Sequence, residues 1–138
     1  MATIDAIHGA VKNALIKDGW TITADPYTIR YEEVILFADL AAERPIAAER
    51  AGRKIVVEVK SFISPSPIHD LKIALGQYAL YLGFLELTEP DRKLYLAVSD
   101  TVHASFFTQK AIEVIVQRYQ LPLLVVDIEI EEIVTWTS

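Results

Sequence analysis

Apolar residues recur every three or four positions near the start of the chain, and Ile4, Ile7, Val11, Ala14 and Leu15 share one helical face. Thr3 or Asp5 can cap that helix, and Gly19 stands just past its end. The period then shortens to two. Residues 20–23 and 27–37, on either side of the Asp25-Pro26 turn, are rich in aromatic and β-branched side chains and predict two strands. Residues 46–49, a turn at Arg50-Ala51-Gly52 and residues 54–62 predict a hairpin, whose second arm, IVVEVKSF, carries the strongest strand pattern of the chain. Ser66 as N-cap and Pro67 at the first helical position open a second helix that runs to Glu86 or Leu87. Its residues Ile68, Leu71, Leu75, Tyr78, Leu82 and Leu85 make one apolar stripe, and Ile73, Leu80, Phe84 and Leu87 make another. Two stripes predict burial on two faces, either within the chain or against a partner such as a second copy in a homodimer. A strand over 93–98, a helix over 101–119 and a strand over 123–128 that can pair with 133–136 complete the order α-β-β-β-α-β-α-β. That order predicts an α/β fold, a mixed sheet flanked by helices.

The 138 residues show no repeat, low-complexity tract or linker, which predicts a single domain over 1–138. No apolar run reaches the ~20 residues a bilayer requires, and the N-terminal segment lacks the uninterrupted block of a signal peptide. The expected location is the cytoplasm, with no membrane partner. The chain has no cysteine, so any metal must be held by oxygen or imidazole. His8, His69 and His103 are scattered outside any HExxH pattern, which gives a zinc enzyme little support. A net charge of -6 excludes a protein that coats nucleic acid through a general positive field. Contact with DNA would have to be local, metal-assisted or shared with another protein.

Within IVVEVKSF, alternation puts Val57 and Val59 on one side and Glu58 and Lys60 on the other. Taken alone, the two charges make an ordinary ion pair at a strand end. Asp39, at the end of the preceding strand EVILFADL, changes the picture, because neighbouring strands can bring it beside Glu58. Two carboxylates ~4 Å apart at an effective dielectric of about 20 repel by about 4 kcal/mol, so both stay ionised only with a cation between them. Magnesium meets that need, and Lys60 could orient a water or neutralise charge building on a phosphate. Gln77 and Tyr81, in GQYALY, share one face of the second helix and interrupt its apolar surroundings; a solvent-edge pair is the bland alternative. Arg44, Arg50, Arg53 and Lys54 cluster between the two acids and are candidates for phosphate contacts, or else form a solvated hairpin tip with Glu43 and Glu49.

Asp39, Glu58-Val59-Lys60 and the Gln77 to Tyr81 spacing resemble the PD-(D/E)xK nuclease superfamily, in particular its resolvase and RecB-like branch. Over nearly the whole chain, VKNALIKDGWTITADPY, FADLAAERPIAAER, IVVEVKSFISPSP, ALGQYALY, DRKLYLAVSD and LPLLVVDIE resemble the XisH family of fdxN-element excision controlling factors from cyanobacteria. That resemblance implies a restriction-endonuclease-like fold. It implies a role in programmed excision of a DNA element during heterocyst differentiation, beside a site-specific recombinase and a companion called XisI. It further implies Asp39, Glu58 and the Val59 carbonyl as ligands of Mg2+ or Mn2+, Lys60 as the catalytic lysine, and Gln77 with Tyr81 in positioning. Relatives in the superfamily often carry a glutamate ligand on the first helix where this chain has His8. Imidazole is a poorer magnesium ligand, so His8 has another part, manganese is preferred, or the site has weakened. Ala38 stands where the motif has proline. Two readings follow: a metal-dependent endodeoxyribonuclease, and a catalytically inactive nuclease-fold accessory that binds DNA or a partner to direct a recombinase.

Overall fold

The computed structural model describes residues 3–44 and 52–137. Helix α1 (Ile4–Lys17) begins where the Thr3 side chain accepts a hydrogen bond from the Ala6 N–H at 3.1 Å and ends before Gly19, whose φ of 94° suits glycine. Strand β1 (Thr21–Ala24) follows, then a hairpin of β2 (Tyr27–Tyr31) and β3 (Val34–Ala38). Here the single strand expected over 27–37 is corrected. The chain reverses at Glu32-Glu33, and Glu32 adopts φ 50° without the glycine or asparagine that marks such turns.

Strand β4 (Leu40–Arg44) pairs antiparallel with β5 (Arg53–Val59), so the arm that pairs with IVVEV lies at 40–44 and not, as expected, at 46–49. The strand expected over 46–49, with Arg50 and Ala51, lies outside the described residues. Helix α2 (Pro67–Thr88) starts as expected, with the Ser66 hydroxyl accepting from the His69 N–H at 3.3 Å and Pro67 in the first turn. Strand β6 (Arg92–Ser99) leads into α3 (Asp100–Val102), a π-helical turn (His103–Phe107) and α4 (Lys110–Arg118). The continuous helix expected over 101–119 is therefore broken. Phe106 and Phe107 are consecutive yet both pack on Phe62, with ring centroids 5.7 and 5.3 Å away, and the wider π turn lets two adjacent side chains face inward. Gln109 then takes an extended backbone that separates the turn from α4. Strands β7 (Leu123–Asp127) and β8 (Glu132–Thr137) form the expected antiparallel hairpin.

The six-stranded sheet has the order β1-β4-β5-β6-β7-β8, parallel at β5-β6 and β6-β7 and antiparallel elsewhere, while β2 and β3 make a sheet of their own. Alternation assigns each side chain a layer. Ile55, Val57, Tyr95, Ala97, Leu124 and Val126 pack under α1. Val56, Leu94, Leu96, Val98, Leu123 and Val125 lie on the other side, beneath α2 and the π turn. The result is a mixed α/β fold with helices on both faces of its central sheet. Only one stripe of α2 is covered. Leu71, Ala74, Tyr81 and Leu85 are buried, whereas Ile73, Leu80 and Leu87 remain 46, 55 and 63 % exposed, which corrects the expectation of burial on two faces within the chain. The sheet supplies one apolar surface to the helix, and among the described residues only Tyr31 of β2, against Phe84, reaches the second stripe. Among the described residues no helix is long and apolar enough to cross a membrane.

Candidate metal centre

The ladder between β4 and β5 sets the geometry. Leu40 pairs with Val57, so the next step in the same register places Asp39 opposite Glu58. Asp39 occupies the bend at which the chain leaves the small sheet and enters the large one. The two acidic side chains tie the strand ends together: the Val59 N–H donates to Asp39 Oδ2 at 2.7 Å, and the Asp39 N–H donates to Glu58 Oε1 at 3.2 Å. Lys60 continues the Glu58 side of the strand, as expected, with its Nζ 3.3 Å from Glu58 Oε2 and its N–H on the Ala97 carbonyl at 2.9 Å.

Burial pushes the Glu58 carboxyl up to about 7, the Asp39 charge adds to the rise, and Lys60 opposes it. One ammonium does not fully compensate two carboxylates in a half-dry place. A cleft of about 150 Å³ opens here, with His8, Asp39, Lys60 and Ser61 around it and Ile4 and Ile7 from α1 at its wall. A cavity of about 920 Å³ lies elsewhere, between α2 and α4 around Leu82, Leu94 and Phe107, and includes none of these acids or Lys60. Size and chemistry part company in this molecule: the small cleft is lined by His8, Asp39 and Lys60, and Glu58 stands behind it on Lys60.

Helix α2 brings the third element. The Tyr81 hydroxyl donates to the Phe37 carbonyl at 3.0 Å, which ties the helix to the strand end two residues before Asp39. Burial, then the nearby Glu58 and Asp39 charges, push Tyr81 up to about 12, so it stays protonated and able to donate. Gln77, one turn earlier, has a buried amide oxygen without a hydrogen-bond partner, the sole such side-chain atom among the described residues.

His8 reaches the site from α1. Its Nε2 hydrogen-bonds Asp25 Oδ1 at 3.1 Å, and its Nδ1 lies 3.8 Å from Asp39 Oδ1. Lys12 donates to Asp25 Oδ2 at 2.8 Å and, with His8, holds the Asp25 carboxyl below its usual range. Asp25 and Lys12 were not legible as site residues, since Asp25 reads as a turn residue before proline. The available signal was Lys12 standing four residues after His8 on one helical face.

Arg44, Arg53 and Lys54 are not part of this cluster. They sit at the far end of the β4-β5 ladder, where Arg44 pairs with Arg53 and Glu43 with Lys54, five residues and so roughly 17 Å from Asp39. Arg44 contacts Asp18 at 3.2 Å, Lys54 contacts Asp91 at 3.5 Å, and the Arg53 guanidinium lies 5.8 Å from the Trp20 ring. Arg50 lies outside the described residues.

Fold and site together define a mixed α/β protein with two carboxylates, one on a strand and one at the bend beside it, and a lysine at a sheet end. The chain belongs to the XisH family: the family described as XisH protein matches residues 1–134. It is similar to an XisH family protein from Nostoc punctiforme PCC 73102, at 42 % identity over 97 % of this chain and 100 % of that one, with a TM-score of 0.89. It is also similar to a fdxN element excision controlling factor protein from Anabaena variabilis, at 45 % identity over 97 % of this chain and 99 % of the other, with a TM-score of 0.87. No curated protein matches it.

Proposed function

We propose that this protein is a controlling factor for excision of a DNA element of the fdxN kind, and that its cleft is a PD-(D/E)xK-type nuclease centre acting on DNA phosphodiesters. The first part rests on the description of the Anabaena variabilis relative. The second rests on one observation: Asp39 and Glu58 meet at the end of the β4-β5 ladder, where Glu58 accepts from the Asp39 N–H and the Lys60 ammonium lies 3.3 Å from Glu58.

The donor set suits a hard divalent cation. Among the described residues no group of three or more His, Asp or Glu side chains gathers for metal binding. Magnesium characteristically takes one or two carboxylates and completes its shell with water and phosphate, so two carboxylates suffice. Asp39, Glu58 and the Val59 carbonyl would hold Mg2+ or Mn2+. When bound, such an ion lowers the pKa of water and offsets charge on a phosphate oxygen. The chain's own groups do the rest. Lys60 presents a positive charge to the phosphate, Tyr81 anchors the strand end that carries Asp39, and Gln77, one turn before Tyr81 on α2, has an unsatisfied buried amide oxygen. His8, tethered by Asp25, stands where superfamily relatives often carry an acidic ligand, with its Nδ1 3.8 Å from Asp39 Oδ1. Arg44, Arg53 and Lys54 stand too far away to touch the phosphate being cut, so their contacts with DNA fall further along the strand.

The test uses branched and nicked DNA with Mg2+ or Mn2+. Asp39→Ala and Lys60→Ala should each reduce cutting by at least about 100-fold, and cutting that survives both substitutions removes the nuclease reading. This pair of ties favours a second reading, because Asp39 and Glu58 each hold a backbone N–H and so have work to do without metal. On that reading the protein is an inactive accessory that steers a site-specific recombinase, binding DNA or a XisI-type companion. Companion binding that persists in Glu58→Ala, with no cutting under any metal, selects it. Loss of excision in cells carrying only Lys60→Ala, with folding and companion binding intact, rejects it.

A further inference from the structure

The outward face of α2 carries a pattern that the isolated chain does not explain. Ile73, Leu80 and Leu87 recur every seven residues and are exposed, and Gly76 and Gly83 recur at the same interval between them. Both glycines lie within the helix, where glycine is a poor choice, and a Cβ added at either would meet nothing within 4 Å. Their own fold therefore has no steric use for them. Glycine inside a helix gains its value when another backbone comes close, as in the small-residue contacts of tightly packed helix pairs.

We propose that α2 pairs antiparallel with α2 of a second copy of this chain, around a two-fold axis near Tyr78. In heptad terms, Ile73, Leu80 and Leu87 form one seam and His69, Gly76 and Gly83 the other. An antiparallel pair sets each seam against its opposite. Leu80 then packs into the gap over Gly76 of the other copy, Ile73 over its Gly83, and Leu87 beside its His69. Every large side chain meets a glycine or a helix end, which is the self-complementary match an isologous interface needs.

The flank of the stripe makes the choice of a second copy specific. Lys72, Ala79 and Glu86 run along one edge, all exposed, and neither Lys72 nor Glu86 has an ion-pair partner among the described residues. In the same antiparallel register Lys72 of each copy meets Glu86 of the other, and Ala79 meets Ala79 at the centre. A parallel pair would instead set Lys72 against Gln77 of the other copy and leave Glu86 without an opposite charge. The charges thus select both the partner and its direction. On the opposite flank Tyr31 lies against Phe84, with ring centroids 5.8 Å apart, so the β2-β3 hairpin borders the seam. The interface faces away from the sheet, and the proposal stands whether or not the metal centre is active.

Sedimentation equilibrium on the full chain should give a dimer, and Leu80→Glu or Gly76→Val should return it to a monomer with an unchanged far-ultraviolet spectrum. Lys72→Glu should weaken association at least about tenfold, and adding Glu86→Lys should restore it. The chain lacks cysteine, so single replacements report the register directly. Ala79→Cys should oxidise to a covalent dimer while Lys72→Cys does not, and the two variants keep the apolar seam intact. A wild-type chain still monomeric at about 100 µM, a dimer indifferent to both Leu80→Glu and Gly76→Val, or crosslinking through Lys72→Cys in preference to Ala79→Cys would each overturn the proposal.

Discussion

Glu58 is the residue of the candidate site whose protonation reports how far its surroundings are out of balance. Its carboxyl sits at about 7 in the folded chain against 4.5 in the open one, with burial the first cause and Asp39 the second. The fold thus favours the protonated form. The stability this contributes is complete below about pH 4.5 and is lost as pH rises through about 7, an effect of roughly 3 kcal/mol across that window. In metal-free buffer Glu58→Gln should therefore gain on the wild type by up to that amount between pH 4.5 and 7 in chemical denaturation. Parallel curves would show that the carboxyl is not perturbed. Cation binding requires the ionised form, so Mn2+ affinity should strengthen as pH passes through the same range and be lost in Asp39→Asn. Tyr81 makes a complementary case. Tyr81→Phe removes the hydrogen bond to the Phe37 carbonyl and should cost about 1–2 kcal/mol, with activity falling while cation affinity, measured by titration, changes little.

Among the elements, the segment after β6 shows how packing overrules propensity. Residues 101–119 have helical composition, yet the chain spends an extra residue in a π turn so that Phe106 and Phe107 can both reach Phe62. Phe62 itself takes φ 51°, an uncommon value for a bulky residue, at the exit of the strand that carries Glu58 and Lys60. The aromatic cluster thus braces the end of the site strand from below. Phe62→Ala should cost about 3–5 kcal/mol and should also raise the Mn2+ concentration needed for half-saturation. Unchanged metal affinity at reduced stability would separate the cluster from the site. The helix that faces the site is better anchored: Ser66→Ala removes the α2 N-cap and should cost about 1 kcal/mol, read as a shift in the thermal midpoint with no change in metal affinity.

Across the whole molecule, net charge and site position work together. A chain at -6 repels DNA in general, and its cationic side chains on β4 and β5 are largely engaged with Asp18, Trp20 and Asp91. Its approach to a phosphate therefore depends on local charge at the cleft, where an ion would reverse the sign of the field. Mg2+ or Mn2+ at 100 times its dissociation constant should stabilise the fold by about 2.7 kcal/mol, seen as a raised melting temperature. The shift should vanish in the Asp39→Asn, Glu58→Gln double variant.

Local order decided much of this protein before folding. The caps at Thr3 and Ser66, the strand IVVEVKSF with Glu58 and Lys60 on one side, and the β7-β8 hairpin could all be read from residue type and period, because each depends on neighbours within a turn or a pleat. Contacts between distant segments decided the remainder. The break at Glu32-Glu33, the π turn and the exposed second stripe of α2 follow from what each segment packs against, which no local pattern encodes. The meeting of Asp39 with Glu58, and of His8 with Asp25, belongs to the same class: residues nineteen and seventeen positions apart become neighbours only when the β4-β5 register and the seat of α1 on the sheet are set.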